Sequence, residues 1–533
     1  MTLSGLIKVN NKRALCVILL YFVYAVTGTL DLYIYQYAIN NLGSGNLGGF
    51  IYWQVIELIP TISGFFILPI ATYLFNKQIQ EYVDEIRTKM VKHFYVTNNL
   101  TTAEMQNQLQ SNLDLLTSKY ALPLIEILSN LFIILMSVGA LFDLNWIFAI
   151  VTAFFIVLDL YLPKVMAKRT AKANMQVSQQ NEKLLTVIGD WIAGLNELRR
   201  YNSWSMLNRE LSKYSDKLEK SKVKRTEVEM YSSAINGVGN TVGQISIAFL
   251  AGVLFFAGYI KIGAVLSSTA FAYNVFSAVM AITAATVKIR STQSVNHQTK
   301  QLTEKMQSKP VSNSSINKIE IHDLVLKYGS KKELQYPDFV INKGEKVLLT
   351  GDSGTGKSSL FKAILGEIKP YHGEIIFKTE EGKQFSPAPN EIGYLAQDPR
   401  VFPGTIADNI TMFKKQLLDQ VPDVLNKVQL AADVVARFPL GIDTEVDLDQ
   451  GNLSGGQRQK IILAREEIFK NDIVLLDEAT SAIDSAATEK IMHELTTSDK
   501  TIVVIAHNLN DKVKAMFDKE IKLVSNKEEK DEF

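Results

Sequence analysis

VLLTGDSGTGKSSLFKAIL, residues 347–365, decides what the second half of this chain is. An apolar strand, a glycine-rich loop and an amphipathic helix follow one another in that order. GDSGTGKS fits the phosphate-loop pattern in full. Its glycines let backbone N–H groups curl round a β-phosphate, Lys357 reaches the β- and γ-phosphates, and Ser358 can ligate Mg²⁺. Gly351, Ser353, Gly354, Thr355, Gly356, Lys357, Ser358 and Ser359 are the expected contacts of a nucleoside triphosphate, with ATP and Mg²⁺ the expected ligands.

DIVLLDEATSAID (472–484) supplies the other half of such a site. Its apolar run reads as a buried parallel strand that delivers two carboxylates at its carboxyl end. Asp477 is placed to hold magnesium through water, and Glu478 to polarise the attacking water as general base. The plainer alternative, two acids merely capping a strand, has little force beside a complete phosphate loop. LSGGQRQK (453–460) then poses a question. It looks like a second anion-binding helix N-terminus, with small residues and a serine hydroxyl, although one loop suffices for one nucleotide.

Upstream, the chemistry changes. The chain has 533 residues, a net charge of +1 and 47% hydrophobic residues. That length exceeds one compact domain, and the near-neutral charge argues against nucleic acid as a partner. The lone cysteine, Cys16, excludes an intramolecular disulfide framework and a cysteine-rich metal site. No cleavable signal is expected, because the first apolar run is too long and no small-residue cleavage pattern follows it. Six segments reach the about 20 residues needed to cross ~30 Å of hydrocarbon; they are placed near 14–39, 49–75, 120–142, 145–168, 233–257 and 262–286. Lys8, Lys12 and Arg13 precede the first. Lys77, Arg87, Lys89 and Lys92 fill the loop after the second, and Lys168, Arg169, Arg199, Arg200, Lys220, Lys222 and Arg225 the loop after the fourth. The other links have almost none, so both ends are expected in the cytoplasm. The long inner loops, 76–119 and 169–232, are helically patterned, so the spanning helices should continue beyond the bilayer and turn there. QSKPVSNSSIN (307–317) reads as a linker.

Four acids fall within the spans: Asp31, Glu57, Glu126 and Asp159. Charge in hydrocarbon is costly and usually functional, and no Lys or Arg is expected at comparable depth. They either line a cavity for cationic or amphipathic cargo, or sit near interfaces and hydrogen-bond between helices.

LSGGQ, taken with the phosphate loop and the Asp477–Glu478 strand, resembles the ATP-binding cassette (ABC) superfamily. Six spans ahead of one cassette resemble a half-size exporter of that family, over nearly the whole chain. The fold class implied is an α-helical transmembrane domain of six spans plus an α/β phosphate-loop NTPase domain of the ABC type. The expected domains are 1–306, the linker 307–317, and the cassette 318–533. YLAQD (394–398) matches the glutamine loop, so the resemblance implies that Gln397 contacts magnesium and water. VIAHN (504–508) resembles the switch segment, with His507 at the γ-phosphate. Tyr328 in LVLKYG fits the aromatic that stacks on adenine, a contact on the scale of about 1–3 kcal/mol. SAID (481–484) matches the aspartate loop, with Asp484 at a cassette–cassette interface. In that family two cassettes meet head to tail, so Ser454, Gly455, Gly456 and Gln457 would close over the nucleotide of the partner. Short helices docking on the cassette are expected around 95–106 and 200–212.

TEVDLDQGN (444–452) departs from the family, with Asp447 and Leu448 in place of the usual Gly-Glu pair and Gln450 in place of a glycine. Because Glu478, His507 and LSGGQ are intact, both sites of a two-copy assembly would be competent. That favours a homodimer over a heterodimer, which stays open. The reading is ATP-driven export across the cytoplasmic membrane by alternating access, in a bacterial-type transporter. Hydrophobic or cationic drugs, lipids and peptides remain open as cargo, although no amino-terminal peptidase domain is seen. The rivals are an ATP-gated channel or regulator, a dedicated peptide or bacteriocin exporter, and a cytosolic mechanical ATPase, which six spans argue against.

Overall fold

A computed structural model describes residues 1–97, 100–304, 315–328, 332–388, 391–398, 400–447, 451–480, 482–506 and 511–524; the side chains at 103, 163, 164, 328 and 332 are outside that description. His507, Leu448, Gln450, Ser481, the Tyr328 side chain, most of the 307–317 linker and positions 98–99 thus lie outside the described residues. The chain divides into two units, Met1–Met306 and Gln307–Phe533.

The described residues of the first unit form helices joined by short turns. The helices are α1 (Leu3–Val9), α2 (Asn11–Gly43), α3 (Leu47–Val96), α4 (Thr102–Asn107), α5 (Leu113–Leu116), α6 (Leu122–Leu144), α7 (Trp146–Ala193), α8 (Leu195–Arg200), α9 (Trp204–Phe256), α10 (Ile262–Ser291) and α11 (Gln293–Thr303). Two π-turns, Gln108–Asn112 and Thr117–Ala121, join α4 to α6. Among the described residues six stretches are long and apolar enough to cross a membrane: Asn11–Gly43, Leu47–Val96, Glu104–Leu144, Trp146–Ala193, Trp204–Phe256 and Ile262–Ser291. α2 packs along α3, α7 along α9, and α6 along α10. Phe65, Phe154 and Phe249 on the outside are exposed, an arrangement suited to hydrocarbon rather than water.

The polar turns begin where short side chains can cap a helix. Asn46 accepts from the Gly49 N–H (3.0 Å) to open α3, and Asn145 accepts from the Ile147 N–H (3.0 Å) to open α7. α3, α7 and α9 run 50, 48 and 53 residues, far beyond a bilayer's need, so the spanning helices do continue and turn well past the bilayer. The first turn falls where expected and the second does not. Thr101 and Glu104 form a capping box that starts α4, within the latter part of 95–106. The second short helix is Leu195–Arg200, preceding the expected 200–212, because Gly194 ends α7 and Asn202, with φ of +50°, ends α8. Residues 204–212 already belong to the long α9.

The second unit has two sheets. β1 (Lys318–Tyr328) pairs antiparallel with β2 (Lys332–Gln335), β3 (Phe339–Asn342) and β5 (His372–Lys378), and β6 (Gln384–Phe385) adds to β5. The parallel sheet has the order β10-β4-β9-β8-β7, with β4 (Lys346–Gly351), β7 (Ile392–Leu395), β8 (Ile473–Asp477), β9 (Thr501–Ile505) and β10 (Lys519–Leu523). β8 and β9 are buried along their whole length, as parallel strands covered on both faces must be. Alternate residues feed two cores. Val347, Leu349, Leu475 and Val503 pack under α12 (Lys357–Ile364), whereas Leu348, Val474, Leu476 and Val504 pack on the opposite, helical side. That side holds α13 (Ile406–Thr411), α14 (Val421–Lys427), α15 (Ala431–Arg437), α16 (Gly455–Phe469) and α17 (Ser485–Thr497), with α18 (Asp511–Lys514) near the carboxyl end. Ile316, 3% exposed, packs in the first of these cores.

Candidate functional site

The carboxyl ends of β4 and β8 lie two strands apart in one parallel sheet, with β9 between them, so the phosphate loop and the two acids gather along one edge, where α/β sheets place ligands. The loop between β4 and α12 leaves Ser353 and Gly354 exposed while Thr355 and Lys357 are buried. Lys357 Nζ donates to Gly351 O (2.7 Å) and Asp352 O (3.0 Å), folding its ammonium back over the loop. Thr355 Oγ1 donates to Asp352 O (2.9 Å), which stiffens the turn.

Gly356 has φ of +90°, and a Cβ there would meet Tyr336 Oη at 2.5 Å. Both facts require glycine. Tyr336, 3% exposed, donates from its hydroxyl to Gly356 O (2.9 Å) and so ties the loop to the strand region before β3. Sequence reading missed Tyr336, because no motif links two residues twenty positions apart on separate elements.

Asp477 ends β8, 2% exposed. Burial pushes its carboxyl above the usual range; a hydrogen bond with Ser358 opposes this, and the nearby Glu478 charge adds to it. Tyr394 Oη donates to its Oδ2 (3.4 Å), and burial, then the Asp477 charge, holds the Tyr394 phenol protonated. Oδ1 of Asp477 is buried with no hydrogen-bond partner among the described residues. An orphaned carboxylate oxygen, next to a serine hydroxyl bound to the same carboxylate, is the donor set that a hard divalent cation takes. Mg²⁺ therefore fits the residues present.

Glu478 follows with φ of +51°. A non-glycine residue in that region is strained by about 1–3 kcal/mol, and such strain collects at functional sites. The Glu478 N–H donates to Ile505 O (2.9 Å), which anchors the strained residue to β9. Gln397 Nε2 donates to Glu478 Oε2 (2.8 Å). The structure thus brings together the phosphate loop, Ser358, Asp477, Glu478 and Gln397.

The LSGGQ residues go elsewhere. Ser454 is the N-cap of α16, and with Gln457 it forms a capping box: the Gln457 N–H donates to Ser454 Oγ (3.2 Å) and the Ser454 N–H to Gln457 Oε1 (2.9 Å). Gly455 and Gly456 face Ala482, and a Cβ at Gly456 would meet Ala482 O at 2.6 Å. Only glycine permits that approach. Gln459 Oε1 accepts from the Ala482 N–H (3.0 Å), and Asp484 caps α17 through the Ala487 N–H (2.9 Å). Among the described residues no hydrogen bond joins Ser454, Gly455, Gly456 or Gln457 to the phosphate loop. Asn452 braces the preceding turn, accepting from the Asp447 N–H (3.0 Å) and donating to Glu445 O (2.8 Å).

The four membrane acids differ from one another. Asp31 accepts from Thr61 Oγ1 (2.5 Å), and Glu57 accepts from Gln54 Nε2 (2.6 Å). Asp159 is 8% exposed between α7 and α9, and neither of its oxygens has a hydrogen-bond partner among the described residues. Glu126 pairs with Lys288 at 3.3 Å. This corrects the expectation that no cation shares the acids' depth: α10 runs on to Ser291, and Lys288 reaches Glu126 near the same end of α6.

The family model for the ABC transporter transmembrane region matches residues 14–280, half of the chain, and that for the ABC transporter matches residues 334–481. ComA of Streptococcus pneumoniae serotype 4, a transport/processing ATP-binding protein, is 29% identical over 350 residues, 63% of this chain and 48% of ComA. LcnC of Lactococcus lactis, a lactococcin-A transport/processing ATP-binding protein, is 36% identical over 198 residues, 36% of this chain and 27% of LcnC. The ATP-dependent lipid A-core flippase of Desulfotalea psychrophila is 23% identical over 489 residues, 86% of this chain and 83% of the flippase. The chain spans about half the length of ComA and less of LcnC. A bacterial Atm1-family ABC exporter with ATP bound shares the fold, with a TM-score of 0.80 at 18% identity over 96% of this chain and 93% of that one. With six membrane helices ahead of one ATP-binding domain, the chain is a multi-pass membrane protein that belongs to the ABC transporter family.

Proposed function

We propose that this chain is one half of an ATP-driven exporter, in which two identical copies move a cargo across the cytoplasmic membrane by alternating access. The observation that carries the reading is the strained Glu478, its carboxylate held by Gln397 beside the orphaned oxygen of Asp477. The membrane part is 1–306, the linker 307–317 and the cassette 318–533. The Lys- and Arg-rich loops and the cassette face the cytoplasm.

Gly351, Ser353, Gly354, Thr355, Gly356, Lys357 and Ser359 hold the phosphates of ATP, and Tyr328 stacks on adenine. Ser358, Gln397 and Asp477 hold Mg²⁺, which when bound neutralises charge on the phosphate oxygens. Glu478 takes a proton from the water that attacks the γ-phosphorus, and ADP leaves with the electron pair of the broken P–O bond. His507 contacts the γ-phosphate. Ser454, Gly455, Gly456 and Gln457 close over the nucleotide of the partner copy, and Asp484 lies at that interface. This reading is supported by α16, whose capped N-terminus bonds to no phosphate-loop residue of its own chain among those described. A two-fold dimer uses such a surface twice.

Lys357 needs only to swing off Gly351 O and Asp352 O to meet a phosphate, whereas Tyr336 keeps the loop in shape. Tyr336→Phe removes one neutral hydrogen bond, worth about 1 kcal/mol. The expected result is an ATP KM raised about fivefold with kcat within about twofold, measured by phosphate release. An unchanged KM would remove Tyr336 from the site.

An ATP-gated channel is the less favoured alternative, because the relatives are named for transport. A peptide cargo is a second reading, favoured by likeness to LcnC. Sealed inside-out vesicles test export itself. ATP should drive a labelled cargo to a higher concentration inside than outside, and strictly downhill flux would replace the pump with a channel.

A further inference from the structure

The first unit has a half-open cavity of about 380 Å³ lined by α2, α3, α6 and α10, within the ~300–1,000 Å³ range of small-molecule sites. Leu68 and Ile133 give it apolar walls, the exposed Phe65 stands at its open rim, and Asp31, Ser137 and Asn274 open into it. Asp31 lies twelve residues before the end of α2 at Gly43, and Asn274 twelve after the start of α10 at Ile262. At 1.5 Å per residue both sit about 18 Å from the helix ends. They share one depth, near the middle of a ~30 Å hydrocarbon layer.

Polar groups at that depth need partners, because no water competes for them there. Asp31 accepts from the Thr61 hydroxyl and has the like charge of Glu57 nearby, and no described Lys, Arg or His forms an ion pair with it. Ser137 is 1% exposed, and neither its hydroxyl nor the Asn274 amide has a hydrogen-bond partner among the described residues. The other acids are accounted for differently. Glu126 has Lys288, Glu57 has Gln54, and Asp159 is buried between α7 and α9, away from the cavity lining. An ammonium suits this lining: it would supply the charge that Asp31 lacks and donate to its carboxylate, with the Asn274 carbonyl at the same depth and Ser137 Oγ further along the cavity as additional acceptors. An anion is repelled by Asp31, and a neutral group leaves its charge uncompensated.

We propose that this cavity is a subsite for the protonated amine of a small amphipathic cargo, with the apolar body against Leu68 and Ile133. It rests on the exporter reading, since it names the cargo class that the membrane part takes. Proline at positions 60 and 69 of α3 borders the same cavity. Each removes a helix hydrogen bond, so the wall is able to adjust around its occupant.

The full chain in lipid nanodiscs tests this with three fluorescent probes: dansylcadaverine, its neutral N-acetyl derivative, and the anion dansylglycine, each corrected against empty nanodiscs. The amine should bind at least about tenfold more tightly than the other two, the scale of one charge-assisted contact. Asp31→Asn should erase that preference while leaving the N-acetyl probe unchanged, and Asp31→Glu should restore it. Asn274→Ala should weaken the amine about threefold to tenfold. Equal binding of amine and N-acetyl probe, preference for the anion, or an Asp31→Asn variant that keeps its selectivity overturns the proposal. A peptide bearing an amino terminus that outcompetes dansylcadaverine from the wild type but equally from Asp31→Asn does so too. Binding is read without nucleotide. Amine binding without uphill uptake therefore overturns the exporter reading alone, and uphill uptake without amine preference overturns the subsite alone.

Discussion

Glu478→Gln should lower steady-state ATP turnover by about 10²–10⁴-fold, the contribution of a positioned general base, with ATP affinity changed by less than about threefold. The amide is isosteric, so the +51° backbone of residue 478, its N–H bond to Ile505 O and the packing at the end of β8 all persist. What disappears is the carboxylate that Gln397 holds at 2.8 Å. Gln397 is then left facing another amide, which can still accept its hydrogen bond but cannot take a proton from water. Phosphate release under saturating Mg²⁺ and ATP, read beside equilibrium nucleotide binding, separates the two effects. Turnover within a few fold of the wild type would reduce Glu478 to a strand-end acid held by its neighbours.

The distinction between Glu478 and Asp477 also follows from where each sits. Asp477 is buried, and burial pushes its carboxyl up, so it is uncomfortable as an anion until a cation arrives. Glu478, one residue on, is turned out by its left-handed backbone to where Gln397 can reach it. Adjacent acids thus receive different environments from one strand end, one suited to a metal and the other to a proton.

Contiguity decided what could be read without coordinates. The phosphate loop is local: strand, glycines and helix occupy nineteen consecutive residues, and each imposes its own geometry. The six spans are equally plain, since length and apolarity suffice. The extension of α3, α7 and α9 past the bilayer followed from helical patterning in the loops. Of the turns inside those loops, the first, opened by the Thr101–Glu104 capping box, fell within 95–106, whereas the second was mislocated although Gly194 and Asn202 bracket α8. Those are short signals inside long polar helices, and they are easily outweighed by periodicity. Contacts between distant positions carried no signal at all. Glu126 and Lys288 are 162 residues apart, and Tyr336 meets Gly356 only because β1 and its neighbours fold over the loop. The unusual Leu448 and Gln450 before LSGGQ lie outside the described residues, while Asn452 after them bonds back to Asp447 and Glu445 before them.

Mixed dimers should show on which nucleotide LSGGQ acts. Lys357→Ala removes the phosphate-binding ammonium of one chain. Gly456→Val forces a side chain onto Ala482 O, where even a Cβ would stand at 2.6 Å, and so displaces the N-terminus of α16. The two changes are placed on different chains, and the mixed species is isolated through two affinity tags. If the signature serves the partner's nucleotide, both lesions fall on the same composite site, and the other site is untouched. The mixed dimer should then occlude about one ATP per dimer, as a single intact two-chain site requires. If LSGGQ served its own chain, each site would carry one lesion and occlusion should fall close to zero. Placing both changes on one chain opposite a wild-type partner reverses the expectation: near zero for service to the partner, about one for service to self. The reciprocal pair controls for instability, because each preparation contains the same two substitutions. A signature that had spread its effect over both nucleotides would give equal occlusion in the two pairings, and the head-to-tail dimer would have to be abandoned.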